Sequence, residues 1–209
     1  MSETAMPPVV SAAEWAAARA ELLVAEKEAT RTLDRIAAQR RRLPMVRFGE
    51  YTFTSTDGPV TLRELFGDQP QLALYQFMHS GPDHFCPGCT HFTKHVGNLD
   101  LLERSGVAWA TVSDMPIDQM AGYWTKMGWD VPFASSAGTS FSADCGAGGG
   151  FLLNMFLRDG DTVYRTYSTG SRGVDRLLFV NHLLDHAPYG RQEDWEDSPE
   201  GWPQEPTYG

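Results

Sequence analysis

The sequence predicts an α/β fold in which helices flank a central mixed β-sheet. Two apolar segments, 72–78 and 107–112, are each followed by a helical pattern, and the joints between these elements are short. A strand–helix–strand–helix order of this kind produces a parallel strand pair with a right-handed crossover. Two further strand patterns, 151–157 and 162–167, flank an Asp-Gly turn that is typical of an antiparallel hairpin. This hairpin should extend the parallel pair into a mixed sheet.

A long amphipathic helix is predicted at the N-terminus. Ser11 followed by Glu14 is a capping-box signature, and apolar residues then recur at helical spacing until Pro44. The Ala, Glu, Lys and Arg content gives this segment high intrinsic helicity. We expect residues 1–45 to form a long helical arm that either pairs with a second copy in a homodimer or packs on its own domain.

A β-hairpin and a short helix are predicted before the central strand. Residues 51–54 alternate between aromatic and polar side chains ahead of an Asp-Gly turn, which indicates a hairpin. Thr61 and Glu64 form a second capping box, over a short helix that Gly67 ends. The central segment 72–78 is apolar on both faces for most of its length, so it should lie inside the sheet rather than at its edge.

Three helices and a tail are predicted after the central strand. The helical patterns cover residues 86–104, 116–128 and 174–186. Near the C-terminus the composition shifts to Asp, Glu, Pro and Gly without periodicity, which is typical of a segment that lacks a packable face. We therefore expect one domain over residues 46–190 and an acidic tail over residues 191–209.

The composition and charge of the chain bear on its partners. The 209 residues are 42% hydrophobic and 21% charged, as in ordinary globular domains. The net charge of −10 argues against nucleic acid, because phosphate binding needs clustered Lys and Arg. No apolar run approaches the roughly 18 residues of a membrane span, and residues 1–10 lack a secretion signal. The Gly-rich run 145–150 lacks the flanking elements of a nucleotide loop. We expect a cytoplasmic protein without a nucleic-acid partner, a membrane partner or a cofactor.

Cys86 and Cys89 stand three positions apart, where the central strand leads into a helix. A close cysteine pair in a reducing compartment is usually catalytic or metal-binding rather than a permanent disulfide. Pro87 is a residue preferred at the first helical position, so Cys86 should cap the helix. Free backbone N–H groups and the helix dipole would stabilise its thiolate and lower the pKa from about 8.5. We predict that Cys86 is the nucleophile and Cys89 the resolving cysteine.

Four residues are candidates for tuning the pair or contacting the substrate, namely Asp83, His84, Pro87 and Arg172. Asp83 and His84 lie just before Cys86, and an imidazolium at that distance would favour the Cys86 thiolate. Arg172 follows an apolar strand and is a candidate for holding an anionic group of the substrate. A surface Arg that pairs with Asp or Glu is the commoner arrangement.

Three alternatives to a dithiol oxidoreductase remain open. A zinc site is one, but a structural site normally takes its second ligand pair from a distant segment, where this chain offers only the lone Cys145. A thiol peroxidase is another, because peroxide oxidises exposed low-pKa thiolates first. The third is a non-catalytic binding or assembly protein that dimerises through its long helix. The zinc alternative would draw on nearby histidines, namely His79, His84, His91 and His95.

The motifs 75–78 (YQFM), 81–83 (GPD) and 86–89 (CPGC), with the segments 11–44 and 164–175, resemble a family of unknown function. That family is described as predicted dithiol-disulfide oxidoreductases of thioredoxin-like type. The resemblance implies a thioredoxin-like fold with an N-terminal β-hairpin extension and a redox-active cysteine pair. It also implies a protein or small-molecule disulfide or thiol as the substrate.

Two features depart from ordinary thioredoxins. Thioredoxins place a cis-proline before the strand that faces the active site, whereas glycines precede Phe151 here. Thioredoxins also carry a buried acid in the central strand, whereas Leu74 and Tyr75 occupy that region. We therefore expect the surroundings of the cysteine pair to differ from those in thioredoxin.

Overall fold

The computed structural model describes residues 5–205. The first four residues of the predicted arm and the last four of the predicted tail lie outside this range. The described chain forms two compact units, one of residues 45–182 and the other of residues 5–44 with 183–205. The division into arm, domain and tail drawn from the sequence stays a prediction.

An eight-stranded sheet forms the larger unit, with strand order β1-β8-β7-β4-β5-β6-β2-β3. The central strands β4 and β5 are parallel, and β7 runs antiparallel to β4 on its other side. The strands are β1 (Val46–Arg47), β2 (Thr52–Ser55), β3 (Gly58–Thr61), β4 (Gln71–Gln76), β5 (Val107–Ser113), β6 (Phe133–Ser135), β7 (Leu152–Asp159) and β8 (Thr162–Thr169).

Six α-helices and two short 3₁₀ helices accompany the strands in the described chain. Several connect consecutive strands: two helices lead from β4 to its parallel neighbour β5, and one leads from β5 to β6. The α-helices are α1 (Ala12–Arg40), α2 (Pro87–Lys94), α3 (Leu99–Arg104), α4 (Ile117–Met127), α5 (Phe141–Cys145) and α6 (Phe179–Leu184), and the 3₁₀ helices are Glu64–Phe66 and Ser171–Leu177.

The strand arrangement is that of a thioredoxin-like fold. The order β5-β4-β7-β8 combines a parallel pair, joined through helices, with an antiparallel hairpin beside its first strand. The hairpin β2–β3 precedes this core in the chain and joins the sheet through the pairing of β2 with β6. The predicted fold class, including the hairpin extension and the long N-terminal helix, is therefore confirmed.

The central strand β4 divides the core of the larger unit into two apolar layers. Successive side chains of a strand point to opposite faces of the sheet, and β4 is buried on both faces, as the sequence predicts. Leu72 and Leu74 pack with Phe156 and Phe141 in one layer. The other layer contains Tyr75, Phe77, Met120, Trp124, Cys86 and Cys89.

Two predicted helices are broken in the structure, so these predictions were wrong. The pattern over 86–104 forms α2 and α3, separated at Asn98, whose φ of 53° is left-handed. Asn is one of the few residues besides Gly that adopt this conformation readily, and it cannot continue a right-handed helix there. The pattern over 174–186 forms a 3₁₀ helix and then α6, with Leu178 extended between them and its side chain buried.

Three short elements of the structure were not predicted. β1 pairs with β8, and β6 pairs with both β5 and β2. The helix α5 ends at Cys145, a residue the sequence placed in a flexible glycine loop. Gly146 ends α5 in a left-handed conformation with φ of 76°, which glycine adopts without steric cost. Elements of two to five residues carry too little periodicity to be read from sequence.

The long helix α1 has the predicted capping box. The Ser11 hydroxyl accepts a hydrogen bond from the Glu14 amide, and the Glu14 carboxylate accepts one from the Ser11 amide at 2.9 Å. None of the residues of α1 is fully buried. The homodimer through this helix stays a prediction. Within residues 5–205, no helix is both long enough and apolar enough to cross a bilayer.

The unpredicted helix α5 yields a stability prediction through Phe141. Its ring is fully buried and makes edge contacts with Tyr51 and Phe53 at centroid distances of 5.0 Å. Phe141→Ala should lower the free energy of unfolding by about 3–5 kcal/mol in urea unfolding followed by circular dichroism. The control Phe179→Ala removes a ring that is 72% exposed and should change it by no more than about 0.5 kcal/mol. Equal effects of the two substitutions would contradict this packing.

Candidate active site

Cys86 caps the N-terminus of α2, as the sequence predicts. Pro87 occupies the first helical position, where its missing N–H needs no partner. The Cys86 sulfur accepts a hydrogen bond from the Cys89 amide at 3.2 Å. The Thr90 hydroxyl donates to the Cys86 carbonyl at 2.9 Å and so fixes the first turn of the helix. The capping sulfur therefore faces the amide groups and the positive dipole end of α2.

The pKa of the Cys86 thiol is lowered from its ordinary value to about 6. The largest cause is a hydrogen bond from the Cys89 thiol, which stabilises the Cys86 thiolate. The backbone amides of Cys89 and Gly88 and the positive charge of His84 act in the same direction, against the effect of burial. The local sequence that forms the cap thus also makes Cys86 the acidic thiol of the pair.

The pKa of Cys89 is shifted in the opposite direction to that of Cys86. Its side chain is fully buried, whereas Cys86 keeps a 6% exposed fraction. The hydrogen bond to Cys86 and burial both raise the pKa of the Cys89 thiol. Its sulfur accepts hydrogen bonds from the Met78 amide, at 3.4 Å, and from the Tyr75 hydroxyl. The hydrogen bond between the two sulfurs therefore favours the proton on Cys89 and the thiolate on Cys86, and no disulfide joins the two cysteines.

The loop 79–85, which precedes Cys86, is held in place by α4. The Phe85 ring stacks on the Tyr123 ring at a centroid distance of 3.6 Å. The Gln119 side-chain amide donates to the carbonyls of Gly81 and Pro82, at 2.9 and 2.8 Å. The sequence predicts a helix over residues 116–128, which includes Tyr123, but it does not predict contacts between this helix and the cysteine loop. These contacts join residues more than 30 positions apart, and no local pattern indicates them.

The residues predicted to tune the site differ in their relation to the cysteine pair. Asp83, His84 and Pro87 are exposed residues next to Cys86 in the chain. Of these, His84 acts on Cys86 through its charge, and Pro87 starts the helix. The Arg172 side chain is 65% exposed and forms an ion pair with Asp175 at 3.5 Å. This pair is the commoner surface arrangement, and the predicted substrate contact of Arg172 stays a prediction.

Two of the nearby histidines, His91 and His95, have local partners. The His91 ring contacts the Asn181 side-chain oxygen at 3.1 Å and packs against the His95 ring at 4.5 Å. The His95 ring bonds the His91 carbonyl at 2.7 Å. Among the described residues, no group of three or more His, Cys, Asp or Glu side chains is arranged to hold a metal ion.

The two departures from thioredoxin are visible in the structure. Within residues 5–205 all peptide bonds are trans, and Gly150 and Phe151 lead into β7. At the buried position on β4, the Tyr75 ring stacks on Phe92 of α2 at a centroid distance of 4.2 Å. A phenol thus lies against the cysteine helix in the region where thioredoxins carry an acid.

Cys145 and a surface cleft lie apart from the cysteine pair. Cys145 packs in the other apolar layer, and burial raises the pKa of its thiol to about 12. This cleft, of about 600 Å³, is lined by residues 47–52, 61–64 and 161–163. Neither Cys86 nor Cys89 lines it. The chemistry of the pair therefore does not depend on this cleft.

The thiol geometry yields a prediction for alkylation by iodoacetamide. Because the pKa of Cys86 is lowered to about 6, its thiolate should form as the pH rises through about 6, while ordinary thiols remain protonated until about 8.5. Alkylation rates measured from pH 4 to 10 should therefore show a Cys86 midpoint near 6. His84→Ala should move this midpoint upward, and the control His186→Ala should not. A Cys86 midpoint near 8.5 in the parent protein would contradict this assignment.

Comparison with solved structures gives remote similarities. Peroxidoxin BcpB from Mycobacterium tuberculosis matches at 19% identity with a TM-score of 0.49, over 65% of this chain and 94% of that chain. A protein described as a putative protein disulfide isomerase from Bacteroides thetaiotaomicron matches at 19% identity with a TM-score of 0.41, over 69% of this chain and 94% of that chain. Peroxiredoxin Q of Xanthomonas campestris matches at 18% identity with a TM-score of 0.41, over 62% of this chain and 88% of that chain. Similarities this remote do not transfer an activity.

Comparison with protein families covers nearly the whole chain. No curated protein matches the sequence. The model of a family described as "Bacterial protein of unknown function (DUF899)" matches residues 4–208. This match agrees with the family resemblance drawn from the sequence motifs, and the chain belongs to the DUF899 family of bacterial proteins.

Proposed function

We propose that this protein is a dithiol–disulfide oxidoreductase in which Cys86 is the nucleophile and Cys89 resolves the mixed disulfide. One observation carries the proposal. An acidic thiol, on a residue that is 6% exposed, caps a helix and accepts a hydrogen bond from a second thiol that is fully buried. Such an asymmetric pair separates attack on a substrate from release of the product.

The first step is attack on a substrate disulfide. The Cys86 thiolate bonds to one substrate sulfur, the substrate S–S bond breaks, and the other substrate sulfur leaves as a thiolate that takes a proton from water. Cys86 is then held in a mixed disulfide with the substrate. Since the thiolate is the attacking species, a pKa of about 6 keeps Cys86 reactive at neutral pH.

The second step is resolution by Cys89. Loss of negative charge on Cys86 removes the hydrogen bond that raises the pKa of Cys89 most. Cys89 gives up its proton, its sulfur bonds to the Cys86 sulfur, and the bond from Cys86 to the substrate breaks. The proton goes to the departing substrate thiolate through solvent. The two cysteines have lost two electrons and the substrate has gained two.

The same chemistry defines the substrates and the compartment that we propose. The substrate is a protein or small-molecule disulfide, and a dithiol reductant returns the Cys86–Cys89 disulfide to the free thiols. A reducing cytoplasm fits a chain whose cysteines are all free. Asp83 and His84 are exposed just before Cys86 in the chain, and we propose that they contact such a substrate.

The division of roles between the cysteines predicts the outcome of trapping experiments. Cys89→Ser should accumulate a mixed disulfide through Cys86 when it is mixed with glutathione disulfide, because the resolving thiol is gone. Cys86→Ser should accumulate none, because the two remaining thiols, Cys89 and Cys145, are both buried and burial raises the pKa of each. Intact-mass spectrometry after acid quenching measures the adduct.

The control for this experiment is Cys145→Ser, which removes a thiol from the other apolar layer. This variant should form and resolve the adduct as the parent protein does. A glutathione adduct on Cys86→Ser but not on Cys89→Ser would exchange the two roles. Absence of any adduct, with one zinc per chain by elemental analysis, would replace the oxidoreductase with a metal site.

A further inference from the structure

The resolving step requires a thiolate on Cys89, and Cys86 cannot stabilise that thiolate once it is part of the mixed disulfide. Cys89 must act as a thiolate, yet its side chain is fully buried, and burial penalises the charged form. Once Cys86 is in a mixed disulfide, its sulfur no longer competes for the proton, but the cost of burial remains. A buried thiolate needs hydrogen-bond donors directed at the sulfur.

Two donors outside α2 point at the Cys89 sulfur. The Met78 amide donates at 3.4 Å, just beyond the end of β4. The neighbouring Phe77 amide bonds to the Val112 carbonyl at 2.7 Å, which anchors this stretch of backbone to β5. The second donor is the Tyr75 hydroxyl, whose hydrogen bond to Cys89 favours the thiolate. Neither donor comes from the Cys-Pro-Gly-Cys segment.

The position of the Tyr75 hydroxyl is fixed by packing. The residue is 1% exposed and lies on the central strand. Its ring stacks nearly parallel on Phe92, with an interplanar angle of 16°, and Phe92 belongs to the same helix as Cys89. A second ring, Phe151, lies at a centroid distance of 6.2 Å. The phenol therefore has little freedom to turn away from the sulfur.

We propose that Tyr75 is a catalytic hydrogen-bond donor that, with the Met78 amide, stabilises the Cys89 thiolate while it attacks the mixed disulfide. The proposal rests on the function proposed above and adds a residue to its second step. Tyr75 keeps its own proton throughout, and the proton that Cys89 loses reaches the departing substrate thiolate through solvent. The hydroxyl thus lowers the energy of the charged sulfur and takes no part in bond making.

Several titratable groups lie on the elements packed around Cys89, and each of them could contribute to the pH dependence of the resolving step. Of these groups, Cys86 and Tyr75 hydrogen bond to the Cys89 sulfur, and the mixed disulfide removes Cys86 from the titration. The other titratable or charged groups are His79, Asp83 and His84 of the loop, His91 and Lys94 of α2, Asp118, Tyr123 and Lys126 of α4, and Arg172, Asp175 and Arg176 of the second 3₁₀ helix.

The test uses the full-length reduced protein and the aromatic disulfide 5,5′-dithiobis(2-nitrobenzoate) in stopped flow. The first thionitrobenzoate released reports attack by Cys86, at a rate proportional to reagent concentration. The second reports resolution by Cys89, at a rate independent of it. Tyr75→Phe should leave the first phase unchanged and slow the second about five- to tenfold at pH 7, because one hydrogen bond to the thiolate is lost.

The pH profile separates this role from a structural one. Tyr75→Phe should move the midpoint of the second phase to higher pH. The rate difference should shrink at high pH, since a less stabilised thiolate is intrinsically more nucleophilic. The control Tyr51→Phe removes a phenol hydroxyl that donates to Asp144 at 2.8 Å in the other apolar layer, and both of its phases should match the parent.

The outcomes distinguish the inference from the function on which it rests. A second phase in Tyr75→Phe with the parent's rate and pH midpoint would overturn the role of Tyr75 and leave the oxidoreductase standing. Equal slowing of both phases would also overturn it. Loss of the second phase in the parent protein would contradict the oxidoreductase itself. Should Tyr75→Phe fail to fold, Tyr75→Met removes the same hydroxyl and is measured in its place.

Discussion

The hydrogen bond from the Cys89 thiol to the Cys86 thiolate is the interaction on which the site depends. It favours the proton on the fully buried Cys89 sulfur and the negative charge on the Cys86 sulfur, which caps α2. The bond exists because α2 starts at Pro87 and places its first-turn residue Cys89 beside its cap. A helix beginning one residue earlier or later would lose the cap and the hydrogen bond between the sulfurs together.

Burial of the central strand gives this interaction its fixed surroundings. β4 lies between β5 and β7, so its backbone groups are paired on both sides and the position of its C-terminal end is fixed. From there the chain passes through loop 79–85, which Gln119 and Tyr123 of α4 hold from outside. Tyr75 and the Met78 amide reach Cys89 from the strand side. The strand, the loop and helices α2 and α4 thus fix the surroundings of the cysteine pair, while Cys145 packs in the other layer.

The parts of this arrangement that neighbouring residues encode could be predicted from the sequence. Cys86, Pro87 and Cys89 specify a cap, a helix start and a second thiol within four positions, and the apolar run of β4 specifies burial. The contacts made across the fold could not be predicted in this way. The hydrogen bond from Tyr75 to Cys89 and the hold of Gln119 on the loop depend on how strands and helices pack. The break at Asn98 had a local signal in the Gly-Asn pair, which the helical periodicity around it outweighed.

Equilibrium titration of the pair against mixtures of reduced and oxidised glutathione tests the dithiol site most directly. Differential alkylation and mass spectrometry measure the Cys86–Cys89 disulfide at each ratio. A redox-active pair should show one two-electron transition, with a tenfold change in the disulfide-to-dithiol ratio for each change of about 30 mV, and Cys86→Ser should show none. A parent protein that forms no Cys86–Cys89 disulfide at any ratio would contradict the proposed function.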